Sequence, residues 1–236
     1  MNKCCVVIIT HKEKLECNEE KSLKQMIKVF GDKRPITVVI PNNISSDYYE
    51  QYDKINICKV NSKWLSNYKE YNAMCRNKDF YKCFNDYEYI LICQTDCWVF
   101  EDRLDYFMNL NYDYYGAPWR ARDCRAWGKA NMTTVGNGGF SLRKVSKMIE
   151  ISDKYNHDGR IIPCNEDGWF CFDHENEMKV CDVKNACNFS FELSSEEILQ
   201  NIDTHPMGMH GDFNVHLWDE DGTKFIEYKN KILNKQ

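Results

Sequence analysis

No apolar stretch of this 236-residue chain approaches the ~20 residues that a membrane-spanning helix needs. There is no polybasic run, and the formal net charge is −5, which argues against a nucleic-acid binder. The first residues, M-N-K-C-C-V-V-I-I-T-H, carry too short an apolar run for a secretory signal and no small-residue cleavage site, and read instead as a first strand. There is no C-x-x-C pair among the 13 cysteines; the tightest spacings are Cys4/Cys5, Cys93/Cys97 and Cys181/Cys187. That excludes the usual zinc modules, and the odd count in a chain this long argues against a disulfide framework. Cys4, Cys5, Cys58, Cys93 and Cys171 sit in apolar runs, where a free thiol behaves as a small buried hydrophobe. A reducing cytoplasm is the expected compartment. Repeats, low-complexity segments and linkers are also missing, so residues 1–236 are expected to form one domain.

What is present is a regular first half. Residues 4–10, 36–40, 55–60 and 89–93 are short apolar runs without the alternation of a half-exposed strand, so both faces should be covered. Helical spacing fills the gaps: residues 16–30 with Leu23, Met26, Ile27 and Phe30, a short helix at 45–52, and 64–84 with Leu65, Tyr68, Tyr71, Met74 and Cys75. Four strand–helix alternations in 98 residues predict an α/β fold with a mostly parallel central sheet flanked by helices. The second half is less regular. Residues 112–119 read as a strand end and turn, 120–134 as a polar loop, 144–155 as a helix, 186–192 as a strand and 222–233 as a terminal helix.

Four places carry candidate chemistry. Gln94, Thr95 and Asp96 follow the 89–93 strand, at the carboxyl end where open α/β sheets bind ligands. Gly136-Asn137-Gly138-Gly139 permits positive φ and a close approach of backbone to ligand. It is neither G-x-G-x-x-G nor a phosphate loop ending in Lys-Ser/Thr. Glu166-Asp167, ahead of Gly168-Trp169, suits either first-turn helix charges or a general base beside an aromatic platform for a sugar. His210, close behind His205, can join Asp96 on a divalent cation only if the fold brings the two together.

In this order Y-I-L-I-C-Q-T-D, Y-D-Y-Y-G-A-P-W, G-N-G-G-F-S-L-R, N-E-D-G-W-F, F-S-F-E and P-M-G-M-H resemble a family of uncharacterised glycosyltransferases with the GT-A fold, over about residues 55–211. The resemblance implies a Rossmann-like, nucleotide-sugar-dependent transferase, with residues 1–98 as the nucleotide-binding half and 99–236 as the acceptor half. Thr95-Asp96 matches the end of the D-x-D metal motif, with Gln94 replacing its first acid. Mn²⁺ or Mg²⁺ would be held by Asp96 and His210. Thr10, His11 and Asn72, with Thr95 and Asp96, would meet the nucleotide, and Asn137, Gly138 and Gly139 would line the sugar pocket. Asp167 would be the base of an inverting displacement, Glu166 its acidic partner and Trp169 the acceptor platform. Arg120, Arg122, Arg125 and Lys129 could assist the leaving diphosphate. The acceptor would be a glycan or another hydroxyl compound, and the setting polysaccharide biosynthesis.

Two other classes compete. A nucleotidyltransferase should carry a basic, Gly-rich loop after the first strand, and Thr10-His11-Lys12-Glu13-Lys14 has no glycine. A non-catalytic carbohydrate-binding domain would use exposed members of the set Trp64, Trp98, Trp119, Trp127, Trp169 and Trp218.

Overall fold

The computed structural model describes residues 3–120, 134–156 and 164–234. The apolar runs become β1 (Cys4–Ile9), β2 (Ile36–Pro41), β3 (Ile55–Val60) and β4 (Tyr89–Cys93). Three short strands follow: β5 (Trp98–Val99), β6 (Tyr114–Tyr115) and β7 (Pro118–Trp119). Then come β8 (Thr134–Val135), β9 (Phe140–Lys144), β10 (Ser190–Phe191) and β11 (Gly208–Met209). The six-stranded main sheet has the order β3-β2-β1-β4-β9-β6. The pairings among β3, β2, β1 and β4 are parallel; β9 runs antiparallel to both β4 and β6.

The helix α1 (Cys17–Phe30) buries Leu23, Met26 and Phe30 on one face of this sheet and is started by a Glu16–Glu19 capping box. α2 (Asp47–Glu50) is short. The helical stretch expected over 64–84 is broken into a 3₁₀ turn (Ser62–Leu65), α3 (Tyr68–Cys75) and α4 (Lys78–Lys82). The breaks are chemical: the Asn67 side chain accepts from the amides of Lys69 and Glu70, and that of Asn77 from Asp79, so each asparagine restarts a helix as an N-cap. α5 (Leu104–Leu110), α6 (Val145–Tyr155) and α7 (Glu166–Gly168) follow, and α7 runs into a π-helical turn over Trp169–Asp173. The strand expected over 186–192 is mostly α8 (Val183–Phe189), capped by Asp182, with only Ser190–Phe191 extended. Its apolar residues fit either period, and helical packing into two core clusters decides it: Ala186 and Phe189 enter the sheet core, Cys187 the carboxy-terminal one. α9 (Glu196–Gln200) and α10 (Thr223–Leu233) close the chain. Two of the core clusters sandwich the main sheet, so β1 and β4 are buried on both faces. No helix among the described residues is long and apolar enough to cross a membrane. All cysteines among the described residues are free thiols.

Candidate active site

From β1 the chain moves outward through β2 to β3, then returns to place β4 on the other side of β1. A crevice opens at the carboxyl ends of two strands from which the chain departs in opposite directions. Thr10 follows β1 there, and Gln94, Thr95 and Asp96 follow β4. This crevice is a cleft of about 810 Å³, lined among others by Thr10, His11, Lys12, Glu19, Thr95 and Asp96. It lies within the roughly 300–1,000 Å³ usual for ligand sites. Its polar side chains are tied to one another at its floor: Lys12 pairs with Glu16 and Glu19 at 2.9 and 3.0 Å, and the Thr95 hydroxyl donates to Glu19 at 3.0 Å.

The antiparallel strand β9 pairs Phe140 with Cys93, which sets the Gly138-Gly139 turn against the end of β4. The Gln94 backbone amide donates to the Gly139 carbonyl at 2.8 Å. Positive φ in this turn falls on Asn137 (67°), not on a glycine. The glycines are required for space. A Cβ on Gly138 would stand 1.8 Å from Glu166 Oε1, one on Gly139 2.2 Å from His210 Nε2, and one on Gly136 2.6 Å from the Trp119 ring.

A small three-stranded sheet, β10-β11-β5, assembles the third part. β10 and β11 are parallel, so Glu192 and His210 leave at the same end; β5 is antiparallel, so Asp96 enters there too. His210 Nε2 lies 3.4 Å from Asp96 Oδ1 and 3.1 Å from Gln94 Oε1. Its Nδ1 lies 3.0 Å from Glu192 Oε1 and from Asn137 Nδ2. Burial opposes a charge on this ring, but Asp96 and Glu192 outweigh it and push His210 up to about 10. Burial likewise raises Asp96, and the imidazolium more than offsets that, leaving its carboxyl below the usual range.

A second cavity, about 230 Å³, adjoins the cleft and shares Tyr68, Tyr71 and Gln94 with it. Trp119, Asn137, Gly138, Gly139, Glu166, Asp167, Glu192 and His210 also line it. Glu166 and Asp167 start α7, whose first amide is capped from another helix: the Asn72 Oδ1 accepts from the Glu166 amide at 2.7 Å. Asp167 accepts from the amides of Gly138 (3.1 Å) and Gly168 (2.7 Å). Burial, and then the Glu166 charge, raise it to about 7 despite the Gly168 amide and Arg143. Glu166 pairs with Arg143 at 2.9 Å, and both side chains are almost fully buried.

The sequence-derived candidates therefore divide. Thr10, His11, Thr95 and Asp96 line the cleft, and Asn137, Gly138, Gly139, Glu166, Asp167 and His210 the cavity. Asn72, expected to meet the nucleotide, lines the cavity and caps α7. Trp169, expected as the acceptor platform, is 4% exposed and packed against Phe170 and His174; the indole lining the cavity is that of Trp119. Helical continuation from Asp167 turns Trp169 inward. Arg122, Arg125 and Lys129 lie outside the described residues. Arg143 and Glu192 were not singled out from the sequence. Their signals were an arginine inside an apolar strand run and an acid directly after F-S-F. Of the tryptophans, Trp98 and Trp169 are buried, Trp119 lines the cavity, Trp218 lines the cleft and Trp64 is half-buried, while Trp127 lies outside the described residues.

Among the described residues no three His, Cys, Asp or Glu groups are placed to hold a metal by themselves. The donor set fits a partial cation site in which the cation would take the place of the proton on His210 Nε2. Asp96 and the Gln94 side-chain carbonyl face one nitrogen of His210, while Glu192 faces the other, the arrangement by which a carboxylate orients a metal-binding imidazole. A nucleoside diphosphate would have to complete the oxygen ligands.

The family model described as "protein of unknown function (DUF5672)" matches residues 54–210. The chain belongs to this family. No curated protein sequence matches it. Among solved structures it is similar to the galactosyltransferase LgtC in complex with donor and acceptor sugar analogues, with a TM-score of 0.60 at 11% identity, covering 97% of this chain and 95% of that one. An active-site mutant of LgtC gives 0.58 at 13% identity, covering 98% and 97%. Mouse xyloside xylosyltransferase 1 in its apo form gives 0.58 at 9% identity, covering 90% and 99%. The fold of this DUF5672 member is that of the GT-A glycosyltransferases.

Proposed function

We propose that this DUF5672 protein is a glycosyltransferase that moves a sugar from a nucleotide-sugar donor to a hydroxyl of a glycan or other acceptor, with inversion at the anomeric carbon. One observation carries the reading: a nucleotide-sized cleft at the switch point of a GT-A sheet adjoins a ring-sized cavity lined by the buried Asp167 carboxyl. The nucleotide lies in the cleft against Thr10, His11 and Thr95, built chiefly from residues 1–98 with a contribution from Asp212, Val215 and Trp218. The sugar lies in the cavity, against the backbone of Gly138 and Gly139. The Trp119 indole offers the apolar wall on which an acceptor ring can rest.

Asp167 is the base. Its carboxylate takes the proton of the acceptor hydroxyl as that oxygen bonds to the anomeric carbon, and the bond to the diphosphate breaks with its electron pair staying on the diphosphate oxygen. A pKa near 7 suits a group that must be ionised yet basic at neutral pH. Asp96 and His210, with the Gln94 side-chain carbonyl, would hold Mn²⁺ or Mg²⁺, and the cation would supply charge stabilisation to the leaving diphosphate. Glu192 keeps the His210 ring in register. A cytoplasmic setting and a place in polysaccharide synthesis are part of the proposal.

A panel of nucleotide sugars, assayed for nucleoside diphosphate release with hydroxyl acceptors and divalent cation, tests it. Turnover with an inverted product supports the reading. A retained configuration rejects the single displacement, and release unaffected by Asp167→Asn rejects the base.

A further inference from the structure

Two adjacent acids meet one cavity, and they are not held alike. Asp167 takes its hydrogen bonds from backbone amides. Glu166 is gripped by a guanidinium that is itself wholly buried and bonded through each of its three nitrogens. Arg143 donates to Glu166 Oε1 at 2.9 Å, to the Tyr81 hydroxyl at 2.9 Å, to the Ser141 hydroxyl at 2.9 Å and to the Gly138 carbonyl at 3.2 Å. It also lies 5.1 Å from the centre of the Tyr114 ring. All three guanidinium nitrogens are engaged, so the planar group is held in one orientation. The other oxygen, Glu166 Oε2, is buried without a hydrogen-bond partner. An ionised carboxylate oxygen in that condition is expensive unless something donates to it. Its side chain is 4% exposed and lines the small cavity.

We infer that Arg143 is a positioning residue that pins Glu166 so that its free oxygen accepts a hydroxyl of the donor sugar, which makes Glu166 a specificity-determining residue and leaves the acceptor proton to Asp167. The ligand class is a sugar with a hydroxyl at that point of the ring; a deoxy sugar there leaves Oε2 orphaned. The grip also unsuits Glu166 to be the base, because taking a proton would weaken its charge-assisted bond to a buried guanidinium. The backbone of Gly138 joins the two halves: its carbonyl accepts from Arg143 and its amide donates to Asp167. This inference rests on the sugar occupying the cavity as proposed above.

Titration calorimetry separates the two readings. The probes are UDP and GDP, and their glucose, galactose and mannose conjugates, against wild type, Glu166→Gln, Arg143→Gln and Arg143→Lys. In wild type one conjugate binds more tightly than its own nucleoside diphosphate. Glu166→Gln keeps the shape and a partner for Arg143 but turns the free acceptor into a donor. It should lower that conjugate's affinity roughly 10–100-fold, the range of one hydrogen bond to a charged group, while the diphosphate binds as before. Arg143→Gln should reproduce the loss, and Arg143→Lys should recover part of it. Melting temperatures identify any variant that does not fold, and Glu166→Gln then stands alone as the test. If no conjugate is preferred to its diphosphate in wild type and none is turned over, the function itself is wrong. If a conjugate is preferred and Glu166→Gln keeps the full preference, or if diphosphate binding falls equally in the Arg143 variants, the function stands and this inference is overturned.

Discussion

The cleft and the cavity are neighbours made in different ways. The cleft is open, and its charged groups form pairs that stay partly in water: Lys12 is 29% exposed and its partner Glu16 79%. The cavity is walled by groups with no freedom: glycines with no room for a Cβ, a capped helix start and the buried Arg143–Glu166 pair. An exposed pair contributes little to stability, whereas removing one partner of a buried pair leaves a charge with nowhere to go. The cleft can therefore tolerate change and adapt to a ligand, while the cavity holds its geometry at the expense of tolerance, as preorganised chemistry requires.

That contrast can be broken in order of expected effect. Asp167→Asn should lower kcat by about 10²–10⁴-fold, or ~3–5 kcal/mol of barrier, with nucleotide affinity little changed; steady-state kinetics alongside calorimetry check both. The pH dependence follows from the same group. Asp167 is faced by Glu166, Glu192 and the Arg143 guanidinium, with Tyr68, Tyr114, Cys164 and Cys171 around it. As the proposed base it must be ionised, so kcat/KM should rise with pH through about 7. Its native pKa is raised above that of an ordinary aspartate, so the folded state binds the proton more tightly than the unfolded one. Its contribution to stability is then lost as pH rises from about 4, where a free aspartate titrates, to about 7. Asp167→Asn should therefore melt higher than wild type above that range, at about pH 8.

Arg143→Met should destabilise the fold by about 3–5 kcal/mol in denaturant titration, because it strands the Glu166 carboxylate. Gly138→Ala comes next, at roughly 1–3 kcal/mol, since its Cβ cannot coexist with Glu166 Oε1. Glu192→Gln should weaken Mn²⁺-dependent nucleoside diphosphate binding about 10–100-fold, read as a loss of the Mn²⁺-induced gain in calorimetry. Lys12→Gln, in the cleft, should change stability by less than ~1 kcal/mol. A Lys12 effect as large as that of Arg143 would erase the distinction between the two regions.

Much of the cleft was legible without coordinates. Four apolar runs separated by helical periods define a parallel sheet, and residues just past such strands belong to its crevice, as Thr10, Thr95 and Asp96 do. Asn67 and Asn77 show how local chemistry can still be overlooked: the helical period over 64–84 is real, but side-chain caps interrupt it. The glycine turn was visible as a motif, but the positive φ expected of its glycines falls on Asn137, and the glycines make room for Trp119, Glu166 and His210.

By itself, the sequence determined the elements that depend on neighbours along the chain: the first four strands, the α/β order of the first half, and the presence of a glycine turn and an acidic pair. Tertiary structure alone decided what those groups do. Trp119 rather than Trp169 faces the cavity, Asn72 caps a helix 94 residues away, and Arg143 claims one acid of two. The physical reason is that hydrogen bonds and excluded volume act across strands whose pairing the residue pattern does not spell out. Once β9 lies antiparallel beside β4, and β11 between β10 and β5, the contacts among Asp96, Gly139, Glu192 and His210 follow from register.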